Sequence, residues 1–259
     1  MKYINLEVSE GIATVTLSRP PVNAVNNETM AEMREVFSSF ADRRDVQVAI
    51  FTAEGDRAFI AGVDLKSVGD GPEGETPLSQ VTDSGAIARE AMWAITDCAV
   101  PVIGAINGPA IGAGIAFSAC CDIIIASDNA TFGTTEINVG LLGASAHLSL
   151  MVGRHKAREM FFTGELVPAA EMYRLGAVRE VVPRTELAGA ARALAKQLAQ
   201  KSPLALRLAK ASMNHVEGLP LKDAYRIEQT YTARLMQFED SAEARAAFFE
   251  KRDPKWKWR

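Results

Sequence analysis

The chain has 259 residues, of which 48% are hydrophobic and 23% charged, and its formal net charge is −4. This composition is typical of a globular protein with a sizeable core, and the negative charge argues against a nucleic-acid partner. No apolar run approaches the length of a membrane span, and the first strand pattern starts almost at Met1 without a leader ahead of it. We therefore expect a soluble, cytoplasmic protein with no membrane partner.

The cysteine pattern does not favour disulfides. The chain has three cysteines, Cys98, Cys120 and Cys121, and two of them are sequence neighbours in an apolar helix. An odd number with this spacing is better explained by small core side chains in a reducing compartment. The three histidines have no metal-ligand spacing with these cysteines, so no metal site is predicted.

The first half of the chain alternates strand and helix patterns. Period-two alternation predicts a hairpin, and a short run with valines and isoleucine predicts a buried strand. Helical spacing of apolar residues predicts two helices. The predicted strands are residues 3–8, 12–17 and 46–52, and the predicted helices are residues 28–40 and 81–97. Residues 69–79 are acidic and rich in Gly and Pro, which is typical of a mobile loop beside a site.

Two glycine-containing turns, residues 58–66 and 107–114, each follow a predicted strand and precede a helix. A strand at 102–106 leads to the second turn, another strand follows at 122–126, and Glu136 comes next. Backbone N–H groups at such turns have no helical partner and can stabilise negative charge on a carbonyl oxygen. Two turns and one acid therefore indicate chemistry on a carbonyl compound.

The second half of the chain becomes helical. After a strand at 178–182, helical spacing extends to the C-terminus, and no internal repeat is visible. The predicted helices are residues 154–162, 168–175, 187–199, 203–215, 221–238 and 241–252. We predict an α/β core over residues 1–197 and a helical oligomerisation region over residues 198–259.

These motifs resemble the crotonase, or enoyl-CoA hydratase/isomerase, superfamily over essentially the whole chain. The similar segments are residues 19–24, 58–66, 107–114, 132–137 and 248–252. The resemblance implies an α/β fold with a crotonase-like ββα-repeat spiral core and a C-terminal helical trimerisation region. It also implies an acyl-CoA thioester as substrate, no separate cofactor because CoA is part of the substrate, and a homotrimer or dimer of trimers.

The resemblance implies a role for particular residues. The N–H groups of Val63 and Ala113 would form an oxyanion hole for the thioester carbonyl. Ala61 would meet the adenine through its backbone, and Lys66 would lie near the mouth of the CoA site. Lys251, from a neighbouring subunit, would lie near the CoA phosphates.

The chain departs from the family pattern at one catalytic position. Hydratases of this family use two glutamates; the second matches Glu136, but the first is Ala116. Adding water to a double bond needs an acid and a base, and alanine can be neither. His147 is the best second acid/base candidate because of its intrinsic pKa, although an isolated histidine is more often structural. Glu136 itself could instead be a helix-capping or surface acid.

Three functions remain open at this point. The leading hypothesis is an enoyl-CoA hydratase/isomerase-family enzyme that forms a thioester enolate, with Glu136 as its single matched acid/base. A CoA-thioester hydrolase or decarboxylase of the same superfamily is the enzymatic alternative. A catalytically weakened acyl-CoA-binding protein is the third.

Overall fold

A computed structural model describes residues 1–65 and 83–259 and has a six-stranded main sheet. The strands of this sheet are β1 (Ile4–Ser9), β2 (Ile12–Leu17), β3 (Val48–Ala53), β4 (Val102–Ile106), β6 (Ile123–Ser127) and β9 (Glu180–Val182). They lie in the order β1-β2-β3-β4-β6-β9, with β1 and β2 antiparallel and every later pair parallel. Parallel neighbours require crossover connections, which explains the helices between these strands.

A second, smaller sheet has three very short strands. These are β5 (Ala110–Ile111), β7 (Thr131–Gly133) and β8 (Val167–Pro168), in the order β5-β7-β8. β5 pairs parallel with β7, and β7 pairs antiparallel with β8. The sequence analysis did not predict this sheet, since strands of two or three residues are too short to show alternation.

Ten α-helices lie within the described residues. They are α1 (Asn27–Ser39), α2 (Ala86–Thr96), α3 (Ala113–Ala119), α4 (Ser145–Val152), α5 (Arg154–Thr163), α6 (Ala169–Arg174), α7 (Leu187–Ala199), α8 (Pro203–Val216), α9 (Leu221–Leu235) and α10 (Glu239–Glu250). All the predicted helices are present with ends shifted by a few residues, and α4 was missed. Loop 69–79 and the start of the predicted helix 81–97 lie outside the described residues.

The alternation of β3 divides the core into two layers. Ala49 and Phe51 pack with Phe37 of α1 in the larger layer, whereas Val48 and Ile50 point to the opposite face. Helix α7 covers that second face with the apolar stripe that begins at Leu187. Helix α7 therefore packs directly on the main sheet and belongs to the α/β core. The domain boundary at residue 197 stays a prediction.

A buried ion pair fastens α8 to the core. The Lys210 ammonium donates to Asp122 Oδ2 at 2.7 Å and to the Ile95 carbonyl at 3.0 Å. Its side chain is 5% exposed, so the charge needs these acceptors to remain inside the protein. The pair therefore ties the helical region to the start of β6.

The three cysteines are free and buried, as the sequence analysis expected. Burial raises the pKa of the Cys120 thiol to about 11, which makes it a poor nucleophile. Within the described ranges, no helix combines the length and the apolar character that a membrane crossing requires.

Candidate active site

Hydrogen bonds join the two glycine-containing turns along their length. Asn107, directly after β4, donates its side-chain amide to the Ala53 carbonyl at 2.8 Å and to the Gly55 carbonyl at 3.1 Å. Further along, the Ile111 N–H donates to the Ile60 carbonyl at 2.9 Å, and Ile60 bridges Ala110. The two turns therefore form one surface at the C-terminal edge of the parallel strands.

In each turn, a glycine with a positive φ directly precedes the residue whose N–H group is predicted to form the oxyanion hole. Gly62 has φ +112° and precedes Val63, while Gly112 has φ +55° and precedes Ala113. Glycine adopts these angles without the steric penalty that a side chain would bring. A Cβ added to Gly62 would lie 3.7 Å from the Ile111 carbonyl, so the two glycines are close neighbours.

The N–H groups of Val63 and Ala113 take no part in the described backbone hydrogen bonds around them. Ala113 is the first residue of α3, where no intrahelical acceptor exists. Val63 bridges Val25 through its neighbours: the Val25 N–H donates to Gly62 and the Asp64 N–H donates to Val25. The Val63 N–H therefore points away from that bridge. In the described part of the chain, neither group has a backbone acceptor.

The small sheet sets the position of Glu136 relative to the second turn. Ile111 of β5 pairs with Gly133 of β7, and the Gly112 N–H donates to the Gly133 carbonyl at 2.9 Å. The chain continues from Gly133 through two threonines into a 3-10 turn, Glu136–Val139. The pairing of β5 with β7 thus places the start of α3 next to the start of this 3-10 turn.

The Glu136 carboxylate lies against two glycines. A Cβ added to Gly112 would be 2.6 Å from Oε1, and one added to Gly143 would be 2.7 Å from the same atom. Glu136 Oε2 is buried and has no hydrogen-bond partner within the described residues. Desolvation by burial raises the pKa of this carboxyl above its ordinary value, so it is suited to exchange protons.

Ala116 lies in α3, three residues after Ala113, and is 1% exposed. The methyl group has no acid/base capacity, so position 116 does not supply the second carboxyl group of a two-glutamate site.

Two of the three predicted CoA contacts, Ala61 and Lys251, lie within the described residues. The Ala61 N–H donates to the Val22 carbonyl at 3.2 Å, so this strand edge is partly used within the fold. Lys66 lies outside the described residues. Lys251 follows α10, is exposed and has φ +54°. The roles of all three stay predictions.

His147 lines a cavity whose described lining residues do not include Glu136. It lies on α4, and the cavity is open, has a volume of about 530 Å³ and is also lined by residues such as Trp93, Cys120 and Arg179. Desolvation lowers the pKa of the His147 imidazole. A catalytic role for His147 stays a prediction that this placement does not support.

A groove begins near the Gly143 segment, at Leu142 and Ser145. It has a volume of about 410 Å³ between α4 and α5, and it is lined by Leu142, Ser145, Ala146, Ser149, Ala157, Arg158, Phe161 and Phe162. Phe162 is 69% exposed and Leu142 is 82% exposed, which is unusual for large apolar side chains. The groove is within the size range of small-molecule sites.

The comparisons with known proteins agree with this architecture. A sequence profile described as enoyl-CoA hydratase/isomerase matches residues 7–259. The chain belongs to the enoyl-CoA hydratase/isomerase family. An enoyl-CoA hydratase structure from Bacillus anthracis superposes with a TM-score of 0.91 at 28% identity, covering 99% of this chain and 100% of that one. The crotonase-like α/β fold expected from the motifs is thereby confirmed.

Two curated relatives of this enoyl-CoA hydratase/isomerase-family member have different names. The (7aS)-7a-methyl-1,5-dioxo-2,3,5,6,7,7a-hexahydro-1H-indene-carboxyl-CoA hydrolase of Rhodococcus jostii (strain RHA1) is 37% identical over 95% of this chain and 93% of its own. The carnitinyl-CoA dehydratase of Proteus mirabilis (strain HI4320) is 36% identical over 99% of this chain and 98% of its own. Family membership therefore leaves the reaction open.

Sequence reasoning missed Gly143 as part of the site. Its contact with Glu136 arises because the chain returns past the carboxylate after the 3-10 turn, where Gly140 has φ +70°. The only sequence signal was a pair of glycines, Gly140 and Gly143, closely following the acid.

Proposed function

We propose that this protein transfers protons on the enolate of an acyl-CoA thioester, with Glu136 as the single acid/base and with double-bond isomerisation as the net reaction. The observation that carries the proposal is the Glu136 carboxylate beside the start of α3, whose Oε2 atom is buried and has no hydrogen-bond partner within the described residues. Family membership supports the CoA-thioester class of substrate.

The chemistry needs one group that takes and returns a proton. The Glu136 carboxylate would remove a proton from the α-carbon of a 3-enoyl thioester, and the electron pair would move onto the carbonyl oxygen. The N–H groups of Val63 and Ala113 would stabilise that oxyanion. Protonated Glu136 would then return its proton to the γ-carbon, leaving the conjugated 2-enoyl thioester with no change in overall composition.

Ala116 argues against two-carboxylate hydration. A hydratase must activate water and protonate the α-carbon, and two carboxyl groups can divide these tasks. Here the second group would have to be water or a residue outside the described ranges. Isomerisation needs only the group that is present.

Hydrolysis is the second candidate, and the names of two relatives favour it. The Rhodococcus jostii protein and a Mycobacterium tuberculosis (strain ATCC 25618 / H37Rv) protein, 39% identical over 93% of this chain, are both named CoA hydrolases. In that case Glu136 would deprotonate a water that attacks the thioester carbonyl carbon, and the same oxyanion hole would stabilise the tetrahedral intermediate. The C–S bond would then break, and protonated Glu136 would return its proton to the departing CoA thiolate.

The groove between α4 and α5 is the proposed site for the acyl part of the substrate. Its lining includes Leu142, the chain neighbour of Gly143, at which an added Cβ would lie 2.7 Å from Glu136 Oε1, and Phe162 offers an apolar surface there. Phe162→Ala should raise KM for a long acyl chain more than for a short one. Tyr173→Ala, which removes an exposed ring on α6, is the matched control and should leave that ratio unchanged.

A panel of thioesters tests the function. The wild-type protein should convert 3-enoyl-CoA to 2-enoyl-CoA, and Glu136→Gln should lower kcat by about 10²–10⁴-fold with little change in KM. Release of hydrolysed product from a diketone thioester, without isomerisation, would favour the second candidate. CoA-thioester binding without any turnover would make the protein a binder and contradict both proposals.

A further inference from the structure

We infer that Arg19 is a positioning residue that fixes the Val63 N–H of the oxyanion hole through Asp64 and Ala24. This inference rests on the proposed function, because it assumes that the Val63 N–H binds the thioester carbonyl. It adds a residue on an N-terminal loop to the machinery of the site. Arg19 itself would touch neither substrate nor reacting atoms.

The Arg19 guanidinium binds both strands of the bridge that presents Val63. One nitrogen donates to the Ala24 carbonyl at 2.6 Å, and the other donates to Asp64 Oδ2 at 2.6 Å. Ala24 directly precedes Val25, and Asp64 directly follows Val63. Since Val25 and Val63 form the bridge, one planar cation holds the two segments together from the side.

Burial makes this contact more effective than an ordinary surface pair. The Arg19 and Asp64 side chains are 21% and 22% exposed, and the guanidinium also lies 5.6 Å from the centroid of the Tyr3 ring. A charge-assisted pair that is shielded in this way is screened less by solvent and salt. The ring restricts the guanidinium further.

Arg19 is itself anchored through its backbone. The Arg19 N–H donates to Asn23 Oδ1 at 2.9 Å, and the Asn23 side-chain amide donates to the Glu54 and Ala58 carbonyls, both at 2.9 Å. Asn23 is 3% exposed. The loop that supplies the clamp is thus fixed to the end of β3 and to the first glycine-containing turn, the same turn that carries Val63.

The Val63 N–H belongs to the Gly62–Val63 peptide, whose carbonyl accepts from the Val25 N–H at 2.9 Å. The direction of the Val63 N–H therefore depends on how the Val25 segment lies beside the turn, and Arg19 holds these two segments together through Ala24 and Asp64. Without Arg19, the two segments could shift relative to each other and turn the Val63 N–H away from the carbonyl oxygen. A small misalignment of one donor lowers transition-state stabilisation more than ground-state binding.

Kinetics separate positioning from CoA binding. Arg19→Met should lower kcat about tenfold, less than the about 10²–10³-fold caused by removing an oxyanion-hole donor, and should change KM less than twofold. Asp64→Asn should give at least as large a loss, and the losses of the two single variants should not add in the double variant. Arg19→Lys should recover part of kcat because an ammonium can reach one of the two acceptors.

Infrared spectroscopy gives a readout that does not depend on the net reaction. Butyryl-CoA labelled with carbon-13 at the thioester carbonyl should show a lowered carbonyl stretching frequency when bound to wild-type protein. We expect at least half of this shift to disappear in Arg19→Met. Arg43→Met, which breaks the surface pair of Arg43 with Asp45, should keep the full shift.

The outcomes are distinguishable. A full shift and a normal kcat in Arg19→Met would overturn the inference, as would a large rise in KM with an unchanged shift, since Arg19 would then be a CoA contact. If Arg19→Met does not fold, Asp64→Asn and Arg19→Lys carry the same two readouts. If wild-type protein shows no shift at all, the oxyanion hole of the proposed function fails first.

Discussion

The Glu136 carboxylate lies where the side chain of residue 112 would be. A Cβ at Gly112 would come within 2.6 Å of Glu136 Oε1, and a Cβ at Gly143 would come within 2.7 Å of the same atom. The pocket for this carboxylate is therefore formed by two missing side chains. Gly112 also has φ +55°, so one residue supplies both the turn into α3 and the space for the acid.

Gly143→Ala should damage activity without damaging the fold. The new methyl would displace the flexible end of Glu136, and the backbone at Gly143 does not have a positive φ, so the change adds no backbone strain. We expect kcat for 3-enoyl-CoA to fall by about 10²-fold, the size of a misplaced catalytic group, with Tm unchanged.

Gly189→Ala is the matched control, since Gly189 has a similarly unstrained backbone and no atom within 4 Å of the added Cβ. It should retain full activity. Equal kcat in both variants would mean that the position of the carboxylate does not limit the reaction.

The parts of the site that could be predicted from the sequence depend on the spacing of neighbouring residues. Strand, turn and helix spacing gave the two glycine-containing turns, and Glu136 followed at the expected distance. The contacts of Gly143 and Arg19 were not predictable, because they join segments far apart in the chain. The Arg19–Asp64 pair spans 45 positions, and residues 19–24 contributed to the family resemblance without indicating this contact.

The fold was predictable to a similar degree. Long amphipathic helices such as α7 and the alternating hairpin were identified, whereas α4 was missed because it begins after Ala144 at φ +55° with no side-chain cap. The strands β5, β7 and β8 are defined by their pairing, which no local propensity encodes. That small sheet is nevertheless what sets Glu136 beside α3.

The pH dependence of activity should reflect the raised pKa of Glu136. As a base, the carboxyl must be ionised, so kcat/KM should fall on the acid side with a midpoint above the ordinary value of 4.5. The measurement is kcat/KM for 3-enoyl-CoA between about pH 4 and 9. A midpoint at or below the ordinary value would show that desolvation does not govern this group in solution.

The same pKa shift predicts how stability depends on pH. A carboxyl whose pKa is raised by folding is destabilising when ionised, and this penalty disappears as the pH falls through the folded-state pKa. Glu136→Gln should therefore have a higher Tm than wild type near pH 7, and the two values should converge towards pH 4.5. A wild-type advantage at neutral pH would contradict this sign.

Ala116→Glu should introduce hydration activity. A second carboxyl in α3 would supply the group that a two-carboxylate mechanism needs, so turnover of 2-enoyl-CoA with water should rise at least tenfold. Because position 116 is buried, the variant should also lose about 1–3 kcal/mol of stability. Ala116→Gln controls for volume and should lose stability without gaining hydration. A folded Ala116→Glu variant with no gain would show that the missing acid does not limit hydration.

Lys210→Met should destabilise the protein while leaving the active site intact. It removes the bonds from the ammonium to Asp122 and the Ile95 carbonyl, and the expected loss is about 2–3 kcal/mol in the free energy of unfolding. Denaturant titration measures this loss. Lys201→Met, at an exposed lysine before α8, should change stability by less than about 0.5 kcal/mol. Equal stabilities would mean that the buried pair contributes nothing net.

The most direct test of the account is the exchange of the α-carbon protons of a saturated acyl-CoA with deuterium oxide, followed by mass spectrometry or NMR. This exchange requires only a base and a stabilised enolate, so it does not depend on the net reaction. Wild-type protein should incorporate deuterium at the α-carbon, and Glu136→Gln should do so at least about 10²-fold more slowly. Equal exchange by both proteins would contradict the assignment of Glu136 as the acid/base.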